Sequence, residues 1–283
     1  MAHRETAMVP LEYLKKFIEE DAPFGDVTSD AIIPDITCRA VIRAEQEGIA
    51  AGLSEAAALF SYFGVDVRRD TRDGEPVVTG KILLSLSGNA KKILLVERTA
   101  LNIIGRMSGI ATQTRKLSDL VKKENSRCRV AGTRKTCPGL RALDKKAVAL
   151  GGGDPHRSGL SDGVLIKDNH LVLVPVKEAI TMAKSASAYR KIEVEVETTK
   201  DAIAAAQVGA DILLFDNMTP DSVRTTIHEL EQAGLRDKVI LELSGGITAE
   251  TIQEYARTGA DLISLGALTH TVRNFSVTLE ILR

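Results

Sequence analysis

A regular alternation of short apolar runs and amphipathic stretches after residue 127 constrains the fold more than any other feature of the chain. The apolar runs are rich in β-branched residues: CRVAG, GVLIK, KIEVEV, DILLFD, KVILEL and DLISLG. Most are separated by helical patterns such as VKEAITMAKSA and DSVRTTIHELEQAG. Short strands that alternate with helices predict parallel βαβ units. The succession predicts an α/β fold with a parallel α/β barrel of about six strands, and an open doubly wound sheet is the alternative.

The part of the chain before residue 110 has a different pattern. A helical stretch (VPLEYLKKFIEE) and strand-like runs (TCRAVIRAEQ, PVVTGKILLSLSG) predict a mixed arrangement. We therefore predict an N-terminal α+β sandwich-like domain over residues 1–110, to which residues 271–283 could return a final strand. The α/β barrel domain is predicted over residues 111–270. A helical stretch at 97–125, either one long helix or two helices broken near Gly109, links the domains.

Composition and charge argue against several classes of protein. The 283 residues carry 37 basic and 38 acidic side chains, a formal net charge of −1, and 4% are aromatic, with no Trp. Such a chain is not expected to bind nucleic acid or a membrane surface. The three cysteines, Cys38, Cys128 and Cys137, form no C-x-x-C pair, which favours a reducing compartment without disulfides or structural zinc. The N-terminus lacks a signal-peptide pattern, and no apolar run is long enough to span a bilayer, so we expect a cytoplasmic protein.

Residues 129–159 gather seven arginines and lysines and three consecutive glycines in this nearly neutral chain. Polar residues also follow the apolar runs: Thr133-Arg134-Lys135-Thr136, Lys167-Asp168-Asn169-His170, Glu195, Asp216-Asn217, Ser244-Gly245-Gly246 and Gly266. The C-terminal ends of the strands of a parallel barrel converge on one face, where active sites lie. The polar groups are therefore predicted to meet around one ligand site, although solvated loops alone would make any single strand end polar.

Residue chemistry predicts three kinds of group in that site. Donors suited to carboxylate or phosphate oxygens come from Arg134, Lys135, His156, Arg157 and Lys167. Backbone N–H groups for a phosphate come from Ser244, Gly245, Gly246 and Gly266, although a Gly-Gly turn alone is weak evidence. The carboxylates of Glu195 and Asp216, among these cations, indicate Mg²⁺ held jointly with substrate phosphate oxygens. Such a site would hold two multiply charged anions side by side.

Other charged residues have simpler explanations. Arg141, Lys145 and Lys146 are expected on the solvated face of the helix GLRALDKKAVAL. The alternation in EVEVE is compatible with an exposed strand face, which would leave Glu193 and Glu197 structural. These residues are therefore not assigned to the site.

The five histidines of the chain form no zinc-binding pattern. His228 is expected on the surface of a helix. His170 and His270 either orient neighbouring groups or contact substrate.

Eight motifs occur in order along the chain: ERTALNIIGRMSGIAT (97–112), TRKTCPGLRALDKKAV (133–148), GGGDPHR (151–157), VLIKDNH (164–170), EVEVE (193–197), LFDNM (214–218), ELSGGI (242–247) and GALTH (266–270). Together they resemble the quinolinate phosphoribosyltransferase family. The resemblance extends without large gaps from PFGDVTSD at 23–30 to the C-terminus. It implies an N-terminal α/β sandwich followed by an α/β barrel with fewer strands than a full eightfold one.

The resemblance also implies an activity and a set of site residues. The family makes nicotinate mononucleotide, pyrophosphate and CO₂ from quinolinate and phosphoribosyl pyrophosphate, with Mg²⁺, in de novo NAD biosynthesis. The implied quinolinate pocket comprises Arg98, Arg134, Lys135, His156, Arg157 and Lys167. The implied phosphoribosyl pyrophosphate site comprises Glu195, Asp216, Asn217, Ser244, Gly245, Gly246, Gly266 and His270. Glu195 and Asp216 would hold Mg²⁺, partly through water and substrate, and the implied catalytic residues are Lys135, Lys167, Glu195 and Asp216. Arg98 would come from the neighbouring subunit across a dimer interface, which implies a homodimer or a hexamer.

Three positions depart from the family pattern. Gly132 stands where Asp is common, Cys137 where Thr is usual, and Pro155 where Asn is common. None removes a charged group, but Pro155 lacks an N–H donor and stiffens its loop, so the departures slightly widen the range of substrates to consider. The sequence leaves open which lysine meets the leaving pyrophosphate.

Three alternative functions are considered. A sister phosphoribosyltransferase, acting on nicotinate or serving molybdenum metabolism, is disfavoured by the complete cation set and by the intact VLIKDNH stretch. A non-catalytic sensor of a phosphorylated metabolite would not need both Glu195 and Asp216. An aldolase-type barrel would use Lys167 as a Schiff-base nucleophile.

Overall fold

The computed structural model describes residues 9–282. Its strands are β1 (Thr37–Ala44), β2 (Gly48–Ile49), β3 (Asp66–Arg69), β4 (Pro76–Val77), β5 (Ile82–Asn89), β6 (Arg129–Ala131), β7 (Val164–Ile166), β8 (Ile192–Val196), β9 (Ile212–Asp216), β10 (Ile240–Ser244), β11 (Leu262–Ser264) and β12 (Val277–Leu282). Its α-helices are α1 (Leu11–Asp21), α2 (Val27–Ile32), α3 (Leu53–Tyr62), α4 (Ala90–Glu124), α5 (Arg141–Leu150), α6 (Asp168–Leu171), α7 (Val176–Ala186), α8 (Thr199–Val208), α9 (Pro220–Gln232), α10 (Ile252–Ala256) and α11 (Ala267–His270). A 3₁₀ turn covers Arg236–Lys238. Within residues 9–282, no helix has the length and apolar character needed to cross a bilayer.

The chain forms two compact units. The first comprises the described residues up to Arg115, Thr136–Gly152 and the segment that begins at Leu268. The second comprises Lys116–Lys135 and Gly153–Ala267. Residues 136–152, which the sequence-based division placed in the barrel domain, pack with the first unit.

The first unit is built on a four-stranded antiparallel sheet in the order β12-β1-β5-β3. β1 pairs with β12 along its length, so the C-terminal segment supplies an edge strand to the N-terminal sheet. Helix α3 packs against α1 and the sheet through buried side chains such as Leu59 and Phe60. An antiparallel sheet needs only one covered face, and this one is covered by helices of the same unit.

Helix α4 is one uninterrupted element of 35 residues, so the alternative of a break near Gly109 is wrong. Gly109 is required by packing: a Cβ there would collide with the backbone carbonyl of Arg273. Gly105 is likewise tight against the carbonyl of Phe275, whose N–H donates to the Gly105 carbonyl at 2.8 Å. Glycine in this helix therefore allows a close backbone approach, at a modest cost in helix propensity.

The second unit is built on a six-stranded parallel sheet in the order β6-β11-β10-β9-β8-β7. This confirms the predicted α/β class and its six-stranded parallel element. β6 and β7 are the outer strands in this order. The segment after Gly153 runs along β6, where the N–H of Asp154 donates to the Val130 carbonyl at 2.8 Å and the N–H of Gly132 donates to the Asp154 carbonyl at 2.9 Å.

Successive side chains along each strand alternate between the two faces of the sheet. Leu213, Phe215, Leu241 and Leu243 are buried on one face of β9 and β10, and the alternate residues Asp216 and Ser244 share the other face. Helix caps fix where the following helices begin: Thr198 Oγ1 accepts from the N–H of Asp201, and Thr219 Oγ1 accepts from the N–H of Ser222. The strand ends therefore lead directly into ordered turns.

Candidate active site

The carboxyl ends of the parallel strands bring several predicted site residues into contact. Lys167, just after β7, donates from Nζ to Glu195 Oε2 at the end of β8, over 2.8 Å. Glu195 pairs in register with Leu214, and Asp216 lies two residues further along β9. Asp216 Oδ2 accepts from Asn217 Nδ2 at 2.7 Å. Lys167, Glu195 and Asp216 thus lie at the ends of three successive strands, as the sequence predicts.

The predicted phosphate cradle lies at the ends of β9 and β10. The N–H of Asn217 donates to the Ser244 carbonyl at 2.9 Å. Gly245 has φ +90°, and a Cβ on it would run into the side chain and backbone of Asn217. Gly246 also has positive φ, and Asn217 itself adopts φ +53°. These residues form a turn in a backbone conformation that residues other than glycine rarely adopt. Such a turn can present successive backbone N–H groups to an anion.

The predicted cations form a group in the second unit. Burial lowers the pKa of the Arg157 guanidinium, and the nearby charge of Arg134 lowers it further. Arg134 Nε is buried and makes no hydrogen bond in the described structure. Lys135 is exposed. Two adjacent guanidinium groups repel each other, so their proximity favours an anionic ligand between them.

His156 is held in an unusual conformation beside these arginines. It has φ +57°, and its backbone N–H donates to Asp154 Oδ1 at 2.8 Å. Its Nε2 lies 3.1 Å from Glu242 Oε2 and 3.9 Å from Glu193 Oε2. His156 and Asn217 are the non-glycine residues with positive φ in the described chain, and both belong to the predicted site. Strained backbone is often concentrated at functional sites.

Two buried glutamates beside His156 were not predicted from the sequence to belong to the site. Glu193 and Glu242 are 4% and 1% exposed, so the alternative of an exposed strand face is wrong for Glu193. Burial, and then the charge of Glu242, raises the pKa of Glu193 to about 7, while His156, Arg157 and Lys167 oppose the rise. The sequence did contain an indication of this position. Glu193 lies two residues before Glu195, and Glu242 lies two residues before Ser244, so each glutamate shares a strand face with a predicted site residue.

These glutamates and His156 also border a cavity of about 300 Å³. Its lining includes the first residues of several strands: Arg129, Val164, Ile212, Ile240 and Leu262. The cavity therefore lies toward the amino ends of the strands, away from the Ser244–Gly246 turn. His156 and Arg157 line it as well.

Two sets of side chains have the chemistry to hold a metal ion. In the described part of the chain, His156, Glu193 and Glu242 have ligand atoms within 4.8 Å of one another. Glu195 and Asp216, the predicted Mg²⁺ ligands, end neighbouring strands and offer the carboxylate oxygens that Mg²⁺ prefers. The first set already contains a His–Glu hydrogen bond and lies in the field of Arg157 and Lys167, so internal pairing is favoured there.

The remaining predicted residues are placed as follows. Arg98 is exposed on α4 and belongs to the first unit. His270 is exposed at the end of α11, also in the first unit, with Nδ1 2.7 Å from Thr271 Oγ1. Gly266 follows β11 in the second unit. His170 orients a neighbour, because its Nδ1 accepts from the N–H of Lys167 at 2.9 Å. His228 is exposed, as predicted.

The prediction that α5 presents its basic residues to solvent is wrong for two lysines. Lys145 and Lys146 are buried rather than solvated. Lys146 Nζ donates to Glu55 Oε1 at 2.6 Å. Asp144, two residues before Lys146, is fully buried and accepts hydrogen bonds from Nε and Nη2 of Arg106, at 2.7 and 2.9 Å. This face of α5 therefore packs inside the first unit through paired charges.

The parallel sheet, with cations and carboxylates together at the carboxyl ends of its strands, defines an α/β enzyme site for anionic substrates. The sequence matches the family models for the quinolinate phosphoribosyl transferase N-terminal domain over residues 26–108 and C-terminal domain over residues 110–280. The chain belongs to the quinolinate phosphoribosyltransferase family, which confirms the resemblance found in the motifs.

Named relatives and solved structures agree with this assignment. A probable nicotinate-nucleotide pyrophosphorylase (carboxylating) of Methanothermobacter thermautotrophicus is 42% identical over 275 residues, covering 96% of this chain and 98% of the relative. The corresponding Bacillus subtilis protein is 40% identical and covers 95% of this chain and 92% of its own length. The solved structure of the nicotinate-nucleotide pyrophosphorylase from Francisella tularensis matches with a TM-score of 0.90 at 32% identity, covering 97% of this chain and 98% of that one. These matches extend over both units.

Proposed function

We propose that the chain transfers the phosphoribosyl group of phosphoribosyl pyrophosphate to quinolinate with loss of CO₂. The products are nicotinate mononucleotide, pyrophosphate and CO₂, and the reaction serves de novo NAD biosynthesis. Family membership and the names of the relatives support this enzyme class. The observation that carries the substrate assignment is the buried, unpaired Nε of Arg134 next to Arg157.

Quinolinate is a pyridine dicarboxylate, and it would satisfy this group of cations. A guanidinium binds a carboxylate through two parallel hydrogen bonds, so Arg134 and Arg157 can each engage one carboxylate. His156 adds a third donor beside them. A monocarboxylate would leave one of the two guanidinium groups without an anionic partner, which is unfavourable in a partly buried site.

The second anion, phosphoribosyl pyrophosphate, would lie at the ends of β8, β9 and β10. The turn Ser244-Gly245-Gly246 would bind the 5′-phosphate through backbone N–H groups, with Asn217, Gly266 and His270 completing this site. Glu195 and Asp216 fit Mg²⁺, because both carboxylates lie at strand ends and are only partly buried. Among the described residues, Asp216 accepts from the neutral amide of Asn217, and Glu195 accepts from Lys167 Nζ. Mg²⁺ bound there together with the substrate would offset the negative charge of the leaving pyrophosphate.

The chain's own contribution to the reaction is positioning and charge stabilisation. Pyrophosphate departs with the C1–O electron pair, and the pyridine nitrogen forms the new bond to the electron-poor ribosyl carbon. Lys135 or Lys167 would stabilise the departing pyrophosphate. The C2 carboxylate then leaves as CO₂, and the electron pair stays on C2, where the ribosylated ring nitrogen stabilises it until a proton from solvent is added.

The proposal includes an assembly and a location. Arg98 is exposed on α4 in the single chain and would enter the quinolinate pocket of a neighbouring subunit, in a homodimer or a hexamer. A cytoplasmic location is part of the proposal because the three cysteines, Cys38, Cys128 and Cys137, are odd in number and form no C-x-x-C pair, a pattern that suits a reducing compartment.

Product analysis with purified protein tests the reaction. With phosphoribosyl pyrophosphate and Mg²⁺, we expect nicotinate mononucleotide and CO₂ from quinolinate and no product from nicotinate. Turnover of nicotinate would instead favour the sister phosphoribosyltransferase. A Glu195→Gln/Asp216→Asn variant should lose turnover yet still bind quinolinate in calorimetry, whereas a metabolite sensor would show no turnover in the wild type. Borohydride trapping at Lys167 with a carbonyl compound would favour the aldolase-type alternative.

A further inference from the structure

Glu242 is a buried acid for which the proposed reaction has no role. It lies on β10, two residues before Ser244, and is 1% exposed. Transfer of an ionised carboxylate from water into a protein interior is costly unless it is paired. Its partner in the structure is the His156 ring, at 3.1 Å.

The His156 ring is held from two sides. The backbone is fixed in the left-handed region by the hydrogen bond from its N–H to Asp154 Oδ1. The ring is fixed by Glu242, which accepts from Nε2 and so aims the imidazole along one direction. A carboxylate behind a histidine commonly sets both the orientation and the tautomer of the ring.

We propose that Glu242 is a positioning residue for recognition of the substrate carboxylate, acting by orienting His156 and keeping it protonated as a second cation beside Arg157. This inference rests on the proposed function, because it assigns His156 to the quinolinate pocket. Glu242 itself does not touch the substrate.

The charges around His156 favour its protonated form. The charged residues that contact the ring or line the same cavity come from four parts of the chain. They are Glu242 on β10, Glu193 on β8 with Lys191 just before it, Arg129 on β6, and Asp154, Arg157 and Asp162 on the segment that carries His156. Arg129 is neutralised by Asp154 at 2.7 Å, and Lys191 by Asp211 at 3.2 Å. Asp162 accepts from the N–H groups of Ser158 and Gly159. Glu242 and Glu193 lie 3.1 and 3.9 Å from His156 Nε2, and the charge of Arg157 opposes theirs. A neutral His156 would leave Glu242 buried beside an uncharged ring, which is the costlier state.

A purely structural role for Glu242 makes a different prediction about pH. If Glu242 only fills space and accepts one hydrogen bond, Glu242→Gln weakens quinolinate binding by the same factor at every pH. If Glu242 stabilises the protonated form of His156, the loss of quinolinate affinity caused by Glu242→Gln becomes larger as pH rises through the ordinary pKa range of histidine. This is because the variant loses the imidazole proton at a lower pH than the wild type does. The pH dependence of the ratio between variant and wild type separates the two roles.

The experiment measures the quinolinate Kd by calorimetry and the KM for both substrates from pH 5.5 to 8.5. At pH 8 we expect Glu242→Gln to weaken quinolinate binding about tenfold, and at pH 5.5 by less than about threefold. The KM for phosphoribosyl pyrophosphate should not change. In a His156→Asn background, Glu242→Gln should have no further effect on quinolinate binding, because the two residues act as a unit.

Several outcomes would overturn the proposal: a pH-independent ratio, an unchanged Kd at pH 8, or additive effects in the double variant. If Glu242→Gln does not fold, NMR titration of the wild-type His156 ring, identified by comparison with His156→Asn, decides instead. A ring that is neutral at pH 7 overturns the proposal, and a protonated ring supports it. Because binding is measured directly, a wild type that binds quinolinate without turnover would contradict the proposed reaction and still test Glu242.

Discussion

The two units of the chain bury charged side chains in different ways. In the first unit, each of two buried acids faces a protein cation: Glu55 accepts from Lys146, and Asp144 accepts from two nitrogens of Arg106. In the second unit, two buried glutamates share one histidine, and the pKa of Glu193 is raised to about 7 by burial and by its neighbour Glu242. Buried side-chain atoms without a hydrogen-bond partner occur in both units of the described structure, and the one that belongs to a cation is Nε of Arg134, in the second unit.

The difference indicates which charges maintain the fold and which await a ligand. A buried charge with an opposite charge in the protein contributes to one folded arrangement, and its loss leaves the partner uncompensated. A buried donor without a partner costs free energy that a ligand can recover. Titratable groups with shifted pKa values are often found at functional sites, and Glu193 is such a group in the same unit as Arg134. Substitutions in the first unit should therefore affect stability, and those in the second should affect binding.

The largest effect is expected from Lys146→Met in the first unit. The substitution leaves the Glu55 carboxylate buried without its cation, and we expect the free energy of unfolding to fall by about 3 to 5 kcal/mol. Denaturant unfolding measures this loss. Lys200→Met, at an exposed lysine on α8, is the control and should change stability little. A Glu55→Leu/Lys146→Met variant should recover most of the loss, and a double variant as unstable as Lys146→Met would contradict the pairing argument.

Arg134→Ala in the second unit should have the opposite profile. Removal of a cation whose buried Nε has no hydrogen-bond partner in the described structure should raise the quinolinate KM about 100-fold, equivalent to about 2.7 kcal/mol, with little change in the unfolding free energy. Arg134→Lys should recover only part of the loss, because an ammonium cannot form the planar fork. Steady-state kinetics and unfolding on the same preparations provide the test. Arg224→Ala, on the exposed face of α9, is the control. Normal quinolinate kinetics in a folded Arg134→Ala protein would remove Arg134 from the site.

Glu193→Gln should change how stability depends on pH. The pKa of Glu193 is raised in the folded state, so this group favours folding below its unfolded value of 4.5, and that contribution is lost as pH rises through about 7. Relative to wild type, Glu193→Gln should therefore become more stable by roughly 2 to 3 kcal/mol between pH 4.5 and 8. Urea unfolding across this range measures the difference. Glu197→Gln, at an exposed position just after β8, should give a constant difference. A constant difference for Glu193→Gln as well would show that Glu193 titrates normally.

The sequence was sufficient to predict the parallel sheet and the residues at its strand ends. Lys167, Glu195 and Asp216 each follow an apolar run, and the geometry of a parallel sheet brings such positions together. The burial of Glu193 could not be predicted in the same way. A period of two separates the two faces of a strand, but it does not tell which face is enclosed. Polar residues on the inner face of a barrel therefore resemble those on an exposed face.

The buried face of α5 was mispredicted for a related reason. Lys146 and Asp144 lie in a polar helical pattern that ordinarily indicates a solvated face. Their partners are distant in sequence: Glu55 is 91 residues from Lys146, and Arg106 is 38 residues from Asp144. Whether residues so far apart in sequence pair with each other depends on the tertiary fold. The periodicity of a local segment carries no information about such contacts.

The smallest effect is expected at the turn that would bind the 5′-phosphate. In Gly245→Ala, the added Cβ would meet the Asn217 side chain, so the turn must shift, and we expect the KM for phosphoribosyl pyrophosphate to rise about tenfold, or about 1.4 kcal/mol. The quinolinate Kd should not change, because its proposed ligands lie elsewhere. Gly234→Ala is a matched control: Gly234 also has positive φ, at +65°, but open space surrounds its Cβ position. Both substitutions place alanine in a left-handed conformation, which should cost about 1 kcal/mol of stability, and the clash with Asn217 should add to this cost in Gly245→Ala alone. Only Gly245→Ala should also weaken substrate binding, and equal KM values for the two variants would indicate that this turn does not contact the phosphate.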